Sequence, residues 1–358
     1  MTKVRVRDDL NGQHAYGAPQ LDVPVRLNVN ENPFPPSPEL VASISQRVSG
    51  AAARLNRYPD RDASELRTAL ATYIRNESGG EPKLENIWVA NGSNEVMHHL
   101  LAAFGGPGRT CVTFAPTYSM YVEYCRETFT EYSTIDRNQD FTVDRASIDQ
   151  AIALHPDIII VCSPNNPTGT VVSTDALDYL IESFDGLIIV DEAYAEFRPL
   201  GTQSAVDRYA NNANVVITRT MSKAFSCAGL RVGYAIAHAD VVQACMLVRL
   251  PYHLSAITQA AALAALDHSK ELLSQVELLR QERELLAVWL KERHFDVAQS
   301  GANFLLFGTF ADRQAIWQGL LDRGILIRQT GPEGWLRVSI GTPQENEMFK
   351  SALEEVAR

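Results

Sequence analysis

Five stretches of this sequence share one build: a short, largely apolar run that ends in a polar cluster. Ile87-Trp88-Val89-Ala90 stops at Asn91-Gly92-Ser93-Asn94-Glu95, and residues 110–114 stop at Ala115-Pro116-Thr117-Tyr118. Residues 157–161 end at 163–169, residues 187–190 at Asp191-Glu192-Ala193-Tyr194, and residues 215–217 at the segment around Lys223. Runs that are apolar throughout, rather than at alternate positions, predict strands buried on both faces, the pattern of a mostly parallel sheet flanked by helices. Ligands of such α/β sheets bind beyond the carboxyl ends of the strands. The five polar clusters are therefore expected to meet in one crevice.

Composition sets the outer limits. The 358 residues are 46% hydrophobic and 21% charged, ordinary for a globular chain and enough for one large domain plus a smaller one. A net charge of −11 argues against nucleic acid or an anionic membrane as the main partner; anionic small molecules depend on local arginines. No apolar stretch has the length of a membrane span and the charged start lacks an apolar signal segment, so a cytoplasmic protein is expected. The five cysteines are scattered without C-x-x-C spacing, which predicts reduced, half-buried thiols.

Prolines 24, 33, 35, 36 and 38 make residues 1–36 an irregular arm with one short strand at 25–29. Helices are expected from about Pro38 to Val48, capped by Ser37, and from Ala63 to about Arg75. Beyond about residue 250 the pattern changes. A long Ala- and Leu-rich helical region runs from Ser255 to about Arg293 with a break near His268-Ser269. Short strands follow at 295–297, 303–307, 325–328 and 335–340, with a helix at about 315–323. The expected organisation is an arm (1–36), a large domain (37–250) and a smaller α+β domain (251–358) to which the arm contributes.

Chemistry concentrates around Lys223. A lysine amine condenses with aldehydes, and Thr220, Ser222 and Arg231 beside it are phosphate-holding groups. An aldehyde and a phosphate on one molecule describe pyridoxal phosphate, which also needs an acidic partner for its ring nitrogen. Asp191 follows four apolar residues, so partial burial is expected, and a protonated ring nitrogen is the kind of partner a buried carboxylate needs. Tyr194 and Asn166 can donate to the ring's phenolate oxygen, and Tyr118 offers a face to stack on it. Gly92-Ser93-Asn94 opens a helix whose N–H groups form an anion site.

Each signal alone has an ordinary explanation. Most lysines are solvated, 165–169 is a good turn sequence, and His98 and His99 are helix-face residues. An apolar run ending in Asp-Glu also occurs in P-loop ATPases, but the chain has no G-x-x-x-x-G-K-[ST], no G-x-G-x-x-G and no H-E-x-x-H. No metal site is expected. The order of the motifs, all at strand ends, is what favours a cofactor site.

The same motifs carry a resemblance to the fold-type I pyridoxal-phosphate aminotransferases (aspartate aminotransferase superfamily), and within them to the histidinol-phosphate aminotransferase family. It rests on Leu27-Asn28-Val29-Asn30-Glu31-Asn32-Pro33, Arg57-Tyr58-Pro59-Asp60, Asn91 to Glu95, Pro116-Thr117-Tyr118, Pro164 to Gly169, Asp191 to Phe197, Ser222-Lys223-Ala224-Phe225, Ala228 to Tyr234, Ala302-Asn303-Phe304 and Leu336-Arg337. It covers nearly the whole chain. Departures are small: Ser226-Cys227 where glycine or alanine often follows the Phe, and Ser93-Asn94 where other members carry Ala-Asp.

The resemblance implies that Lys223 holds the cofactor as a Schiff base in a ping-pong reaction and moves the proton between substrate Cα and cofactor C4′. Asp191 would pair with the ring nitrogen, Tyr194 and Asn166 with the phenolate oxygen, and Tyr118 would stack. Gly92, Ser93, Asn94, Thr220, Ser222 and Arg231 would hold the phosphate. Tyr58 resembles a residue that reaches the phosphate of a neighbouring subunit, which implies a homodimer. Asn30 and Arg337 fall at substrate-binding positions, Arg337 as the fork for an anionic group.

The implied reaction interconverts histidinol phosphate plus 2-oxoglutarate with imidazole-acetol phosphate plus glutamate, in histidine synthesis. Histidinol phosphate has no carboxylate, so its phosphate must use the anion site that takes glutamate's carboxylate. A dianion calls for more positive charge, which Arg328 supplies, with Tyr16 from the arm as a further donor. An aromatic amino-acid aminotransferase and a threonine-phosphate decarboxylase are the alternatives within the same chemistry. A regulator with an aminotransferase-like domain would need a basic helix-turn-helix module, and a silent binding protein would lack Lys223 or Asp191.

Overall fold

Seven strands, not five, make up the central sheet of the protein, for which a computed structural model describes residues 4, 6–13, 15 and 17–357. In chain order the strands are β1 (Val25–Arg26), β2 (Ile87–Ala90), β3 (Thr110–Ala115), β4 (Glu131–Asp136), β5 (Ile158–Cys162) and β6 (Leu187–Asp191). Then come β7 (Val215–Thr220), β8 (Gly233–Ala237), β9 (Asp296–Val297), β10 (Phe304–Gly308), β11 (Ile325–Leu326) and β12 (Leu336–Ser339). The large sheet has the order β2-β8-β7-β6-β5-β3-β4, and every member runs parallel except β8. The two strands not foreseen lack the apolar signal for opposite reasons. β4 is a half-exposed edge with a polar sequence, while β8 starts at Gly233 inside a motif that looks like a loop.

Because side chains alternate across a strand, each buried run feeds two cores. On β5, Ile159 and Val161 join the core under the helices Ser64–Ser78 and Thr174–Ser183, while Ile158, Ile160 and Cys162 join a second core under the helices Ser93–Phe104 and Met120–Glu127. We call the second the cavity face and the first the far face. All five cysteines are buried rather than half-buried; Cys111, Cys162, Cys125 and Cys245 are core positions of β3, β5 and the helices Met120–Glu127 and Ala239–Val248, and Cys227 packs into the core from a loop.

The C-terminal elements follow the sequence closely. The long helical region splits into Ala256–Asp267 and Ser269–Glu292, broken at His268, and the helix Pro38–Ala52 is capped by Ser37 accepting from the Leu40 amide. β9, β10 and β12 form an antiparallel sheet, with Arg313–Asp322 as its following helix. The strand expected at 25–29 shortens to β1, which pairs in parallel with β11 and so ties the arm to the C-terminal elements. Beyond Leu27 the arm leaves the ladder, and Asn30 adopts a left-handed backbone (φ 57°) on its way past the strand ends. No helix among the described residues is long and apolar enough to cross a membrane, and no group of three or more acidic, His or Cys side chains among them is placed to hold a metal ion.

Candidate active site

At the carboxyl end of β6, Asp191 points to the cavity face, as do its ladder neighbours Cys162 on β5 and Thr218 on β7. Its carboxylate accepts from the Tyr121 hydroxyl (2.6 Å) on Oδ2, and from Thr218 (3.1 Å) and the Ala193 amide (3.2 Å) on Oδ1. All three partners are neutral. Burial raises the Asp191 pKa, and these donors oppose the rise. No Lys, Arg or His among the described residues forms an ion pair with this carboxylate, although it is 4% exposed.

β7 runs three residues past the expected 215–217, through Thr220, which delivers Ser222 and Lys223 to the same cavity. The Lys223 ammonium donates to the Val29 carbonyl (2.8 Å) of the arm. Burial, reinforced by the positive charges of Arg337 and Arg231, brings its pKa from 10.5 down to about 8. A lysine of that acidity is about one-tenth neutral at pH 7, several hundred-fold more than a free lysine, and the neutral amine is the form that condenses.

One corner of the cavity is an anion cradle. The helix Ser93–Phe104 starts there with no side-chain cap, so the amides of its first turn and its dipole face the space. Gly92 has φ 87°, and a Cβ on it would sit 2.5 Å from Nη2 of Arg231. Gly233 is tighter still, since its Cβ would lie 2.1 Å from the Ser93 amide nitrogen. Gly233, packed against backbone, admits no side chain without moving the helix end, while at Gly92 it is chiefly the positive φ that disfavours one. Arg231 donates to Ser222 Oγ (3.1 Å), whose other neighbour is Thr220 Oγ1 (3.0 Å).

A second cationic corner lies on the C-terminal side. Arg328 and Arg337 are directly opposite in a backbone-paired antiparallel bridge, so both side chains lie on one face and both line the cavity. Arg337 donates to Asn166 Oδ1 (2.6 Å) and the Asn28 carbonyl (2.7 Å) and lies over the Phe304 ring. Asn166 and Asn30 in turn donate to the Tyr194 hydroxyl (3.5 and 3.0 Å), and Ser339 holds Asn30. Burial pushes the Tyr194 phenol up, well above the usual range.

The cavity, of about 260 Å³, brings together Asn30, Ser93, Asn94, Tyr118, Asn166, Asp191, Tyr194, Thr220, Ser222, Lys223, Arg231, Arg328 and Arg337. Gly92 stands behind the cradle. Tyr58 does not line this cavity; it is 79% exposed and stacked on Tyr252, with ring centroids 4.4 Å apart. Tyr16 lies outside the described residues. Tyr121 and Thr218, the groups that hold Asp191, were not foreseen. Tyr121 stands one helical turn from Tyr118 but is 70 positions from Asp191, and Thr218 sits two residues before Thr220, its side chain on the same face.

Comparison with known proteins agrees with this geometry. The sequence matches the model for aminotransferase class I and II over residues 23–353. The chain belongs to the class I and II aminotransferases. It is 52% identical over 357 residues to histidinol-phosphate aminotransferase 3 of Burkholderia lata, covering 99% of this chain and 96% of that one. A histidinol-phosphate aminotransferase of Thermobifida fusca is 52% identical, with 97% and 94% covered. Among solved structures, the histidinol-phosphate aminotransferase of Sinorhizobium meliloti in complex with pyridoxal-5′-phosphate has the same fold (TM-score 0.83, 24% identity, 93% and 91% covered). The mostly parallel sheet with helices on both faces is therefore that of the fold-type I aminotransferases.

The residues of this aminotransferase suit such a cofactor on their own evidence. Asp191 is a buried carboxylate held, among the described residues, only by neutral donors, which a protonated ring nitrogen complements. The Gly92 and Gly233 positions let the helix end and Arg231 approach closely, so that amides, a hydroxyl and a guanidinium gather in one anion-binding corner. Lys223, with its lowered pKa, stands between that cradle and the second cationic corner.

Proposed function

We propose that this aminotransferase moves an amino group from histidinol phosphate to 2-oxoglutarate, using pyridoxal phosphate held at Lys223. One observation carries the reading: the cavity has two cationic corners, Arg231 and the Arg328–Arg337 pair, and the charges of both Arg231 and Arg337 act on Lys223. One corner suits the cofactor's phosphate and the other an anionic substrate. A pair of arginines in the second matches a phosphate dianion better than one carboxylate would require. The 52%-identical relatives bear the same activity in their names.

Bound here, pyridoxal phosphate supplies a carbonyl for amine exchange and a ring that takes up electron density as the substrate carbon loses its proton. The protein does the rest. Lys223 Nζ would hold the cofactor and would be the base that takes the proton from the amine-bearing carbon. Asp191 accepts the ring nitrogen's hydrogen bond and keeps it protonated. Tyr194 and Asn166 bind the phenolate oxygen, while Tyr118 covers a ring face. Ser93, Asn94, Thr220, Ser222 and Arg231 would hold the phosphate, with Gly92 behind them. Arg328 and Arg337 fork the substrate's anion, and Asn30 fixes the Tyr194 hydroxyl. The cavity then lies between segments 37–250 and 251–358, which we take as the large and small domains. Tyr58, outside this chain's cavity, is assigned to the phosphate of a second copy in a homodimer.

The test is a half-reaction with purified holoenzyme. Loss of the bound cofactor's long-wavelength absorbance is followed as histidinol phosphate, phenylalanine or threonine phosphate is added. Fast loss at low histidinol phosphate, with phenylalanine far slower, is expected. A preference for phenylalanine, or carbon dioxide release from threonine phosphate, would replace the reading with one of its relatives.

A further inference from the structure

The far face of the sheet, directly behind Asp191, holds a charged cluster that the reaction itself does not touch. Arg219 is wholly buried between Thr218 and Thr220 on β7. Its guanidinium donates to Glu192 Oε2 (2.8 and 3.1 Å), Glu77 Oε2 (2.7 Å), Ser78 Oγ (2.7 Å) and Ser204 Oγ (2.8 Å). Glu192 also accepts from Ser204 (2.7 Å) and from the Ala205 amide (2.7 Å). Arg198 reaches Glu77 (3.3 Å), and Tyr73 donates to the buried Glu196 (3.1 Å). One cation thus joins the end of β6, the end of β7, the last turn of the helix Ser64–Ser78 and the segment at Ser204.

The alternation of side chains gives this cluster its meaning. Asp191 and Glu192 are consecutive and project to opposite faces, as do Thr218, Arg219 and Thr220. The cavity-side pair Asp191–Thr218 and the far-side pair Glu192–Arg219 therefore hang on the same stretch of ladder, whose last bond runs from the Glu192 amide to the Thr218 carbonyl (2.8 Å). Buried ion pairs contribute little net stability compared with apolar residues of similar size. What a five-donor fork does supply is a fixed geometry at one point.

We propose that Arg219, through Glu192 and Glu77, is a positioning residue of the active site: from the far face it locks the ends of β6 and β7 so that Asp191, Thr218 and Thr220 stand in register toward the cofactor. This rests on the reading of the cavity as a pyridoxal-phosphate site. It also explains why the lock sits at the strand ends rather than mid-sheet, where Val190 and Ile217 on the same face suffice.

Arg219→Lys and Glu192→Gln test it in the full-length protein. Wild-type binding of pyridoxal phosphate is measured first, by absorbance; if there is none, the site reading itself falls. With wild-type binding in place, both variants are expected to fold, to bind the cofactor about 10-fold or more weakly and to lose about 10-fold in kcat, with KM for histidinol phosphate within about twofold. In cofactor-free protein, hydrogen exchange at the Glu192 amide is expected to speed up about 10-fold or more while mid-strand amides such as Ile188 stay protected. Folded variants with wild-type cofactor affinity and an unchanged Glu192 amide would overturn the proposal, however much their melting temperature fell. Failure of both variants to fold would overturn it as well, since the cluster would then be a folding requirement.

Discussion

Two faces of the same strand ends carry charge in opposite ways. On the far face, Arg219, Glu192 and Glu77 satisfy one another: arginine charges overcome the cost of burial and hold Glu77 low, and carboxylates hold Arg219 well above its usual range. On the cavity face the buried carboxylate of Asp191 has only neutral donors among the described residues. Lys223 is driven toward neutrality, and Arg231, Arg328 and Arg337 line the same cavity. A closed cluster fixes geometry; an open one is completed by what binds. The same sheet therefore separates a part of the molecule built to hold still from a part built to receive anions and a protonated ring.

The strongest way to break this contrast is to remove the amine from the open face. Lys223→Ala is expected to lower kcat/KM about 10⁴-fold, because attachment and proton transfer both depend on it; steady-state assays with histidinol phosphate check this. On the closed face the expected loss is in stability. Arg219→Met leaves Glu77 and Glu192 buried without their partner, and urea unfolding is expected to show roughly 3–5 kcal/mol lost.

Weaker effects separate the two corners. Asp191→Asn keeps the shape and hydrogen-bonding reach but removes the charge that the ring nitrogen needs, so kcat is expected to fall about 10²–10³-fold. Its apo form should be no less stable, since a neutral amide replaces a desolvated carboxylate. Arg328→Met is expected to raise KM for histidinol phosphate about 10- to 100-fold and to affect 2-oxoglutarate much less, because the partner arginine alone can still fork a carboxylate. Equal losses for both substrates would show that the arginine pair does not discriminate by charge.

How much of this was legible beforehand follows from the range of the interactions. Local patterns located the apolar runs, the break at His268 and the cap at Ser37, because propensity and capping act within a few residues. The cavity's membership was legible because parallel strands bring their carboxyl ends together, whichever helices intervene. β4 was hidden by its exposed edge, and β8 by its position inside a motif. Tyr121 and Arg219 escaped for a different reason. A tyrosine on an amphipathic helix and an arginine inside an apolar strand acquire meaning only from partners 70 and 142 positions away. Opposite placement of Asp191 and Glu192 follows from strand alternation, but the closed character of one side and the open character of the other required the whole packing.

The finest distinction concerns Lys223 itself, since the open face should cost stability that a ligand restores. A folded-state pKa of about 8, against 10.5 when unfolded, means the unfolded chain binds more protons between those values. Stability should therefore rise with pH across that window, the burial cost being fully present below pH 8 and relieved above 10.5. A depression of that size corresponds to roughly 3 kcal/mol. Lys223→Met removes the buried charge but also its hydrogen bond to Val29, worth about 1.5 kcal/mol for a charged donor. Cofactor-free Lys223→Met is expected to be roughly 1–2 kcal/mol more stable than wild type at pH 7, with that advantage shrinking as pH rises from 8 to 10.5. Denaturant unfolding of the two apo proteins at pH 7 and pH 10 measures it. A variant that is less stable than wild type at pH 7 would place Lys223 with the closed cluster, as a residue that builds the fold rather than one the fold holds under strain for chemistry.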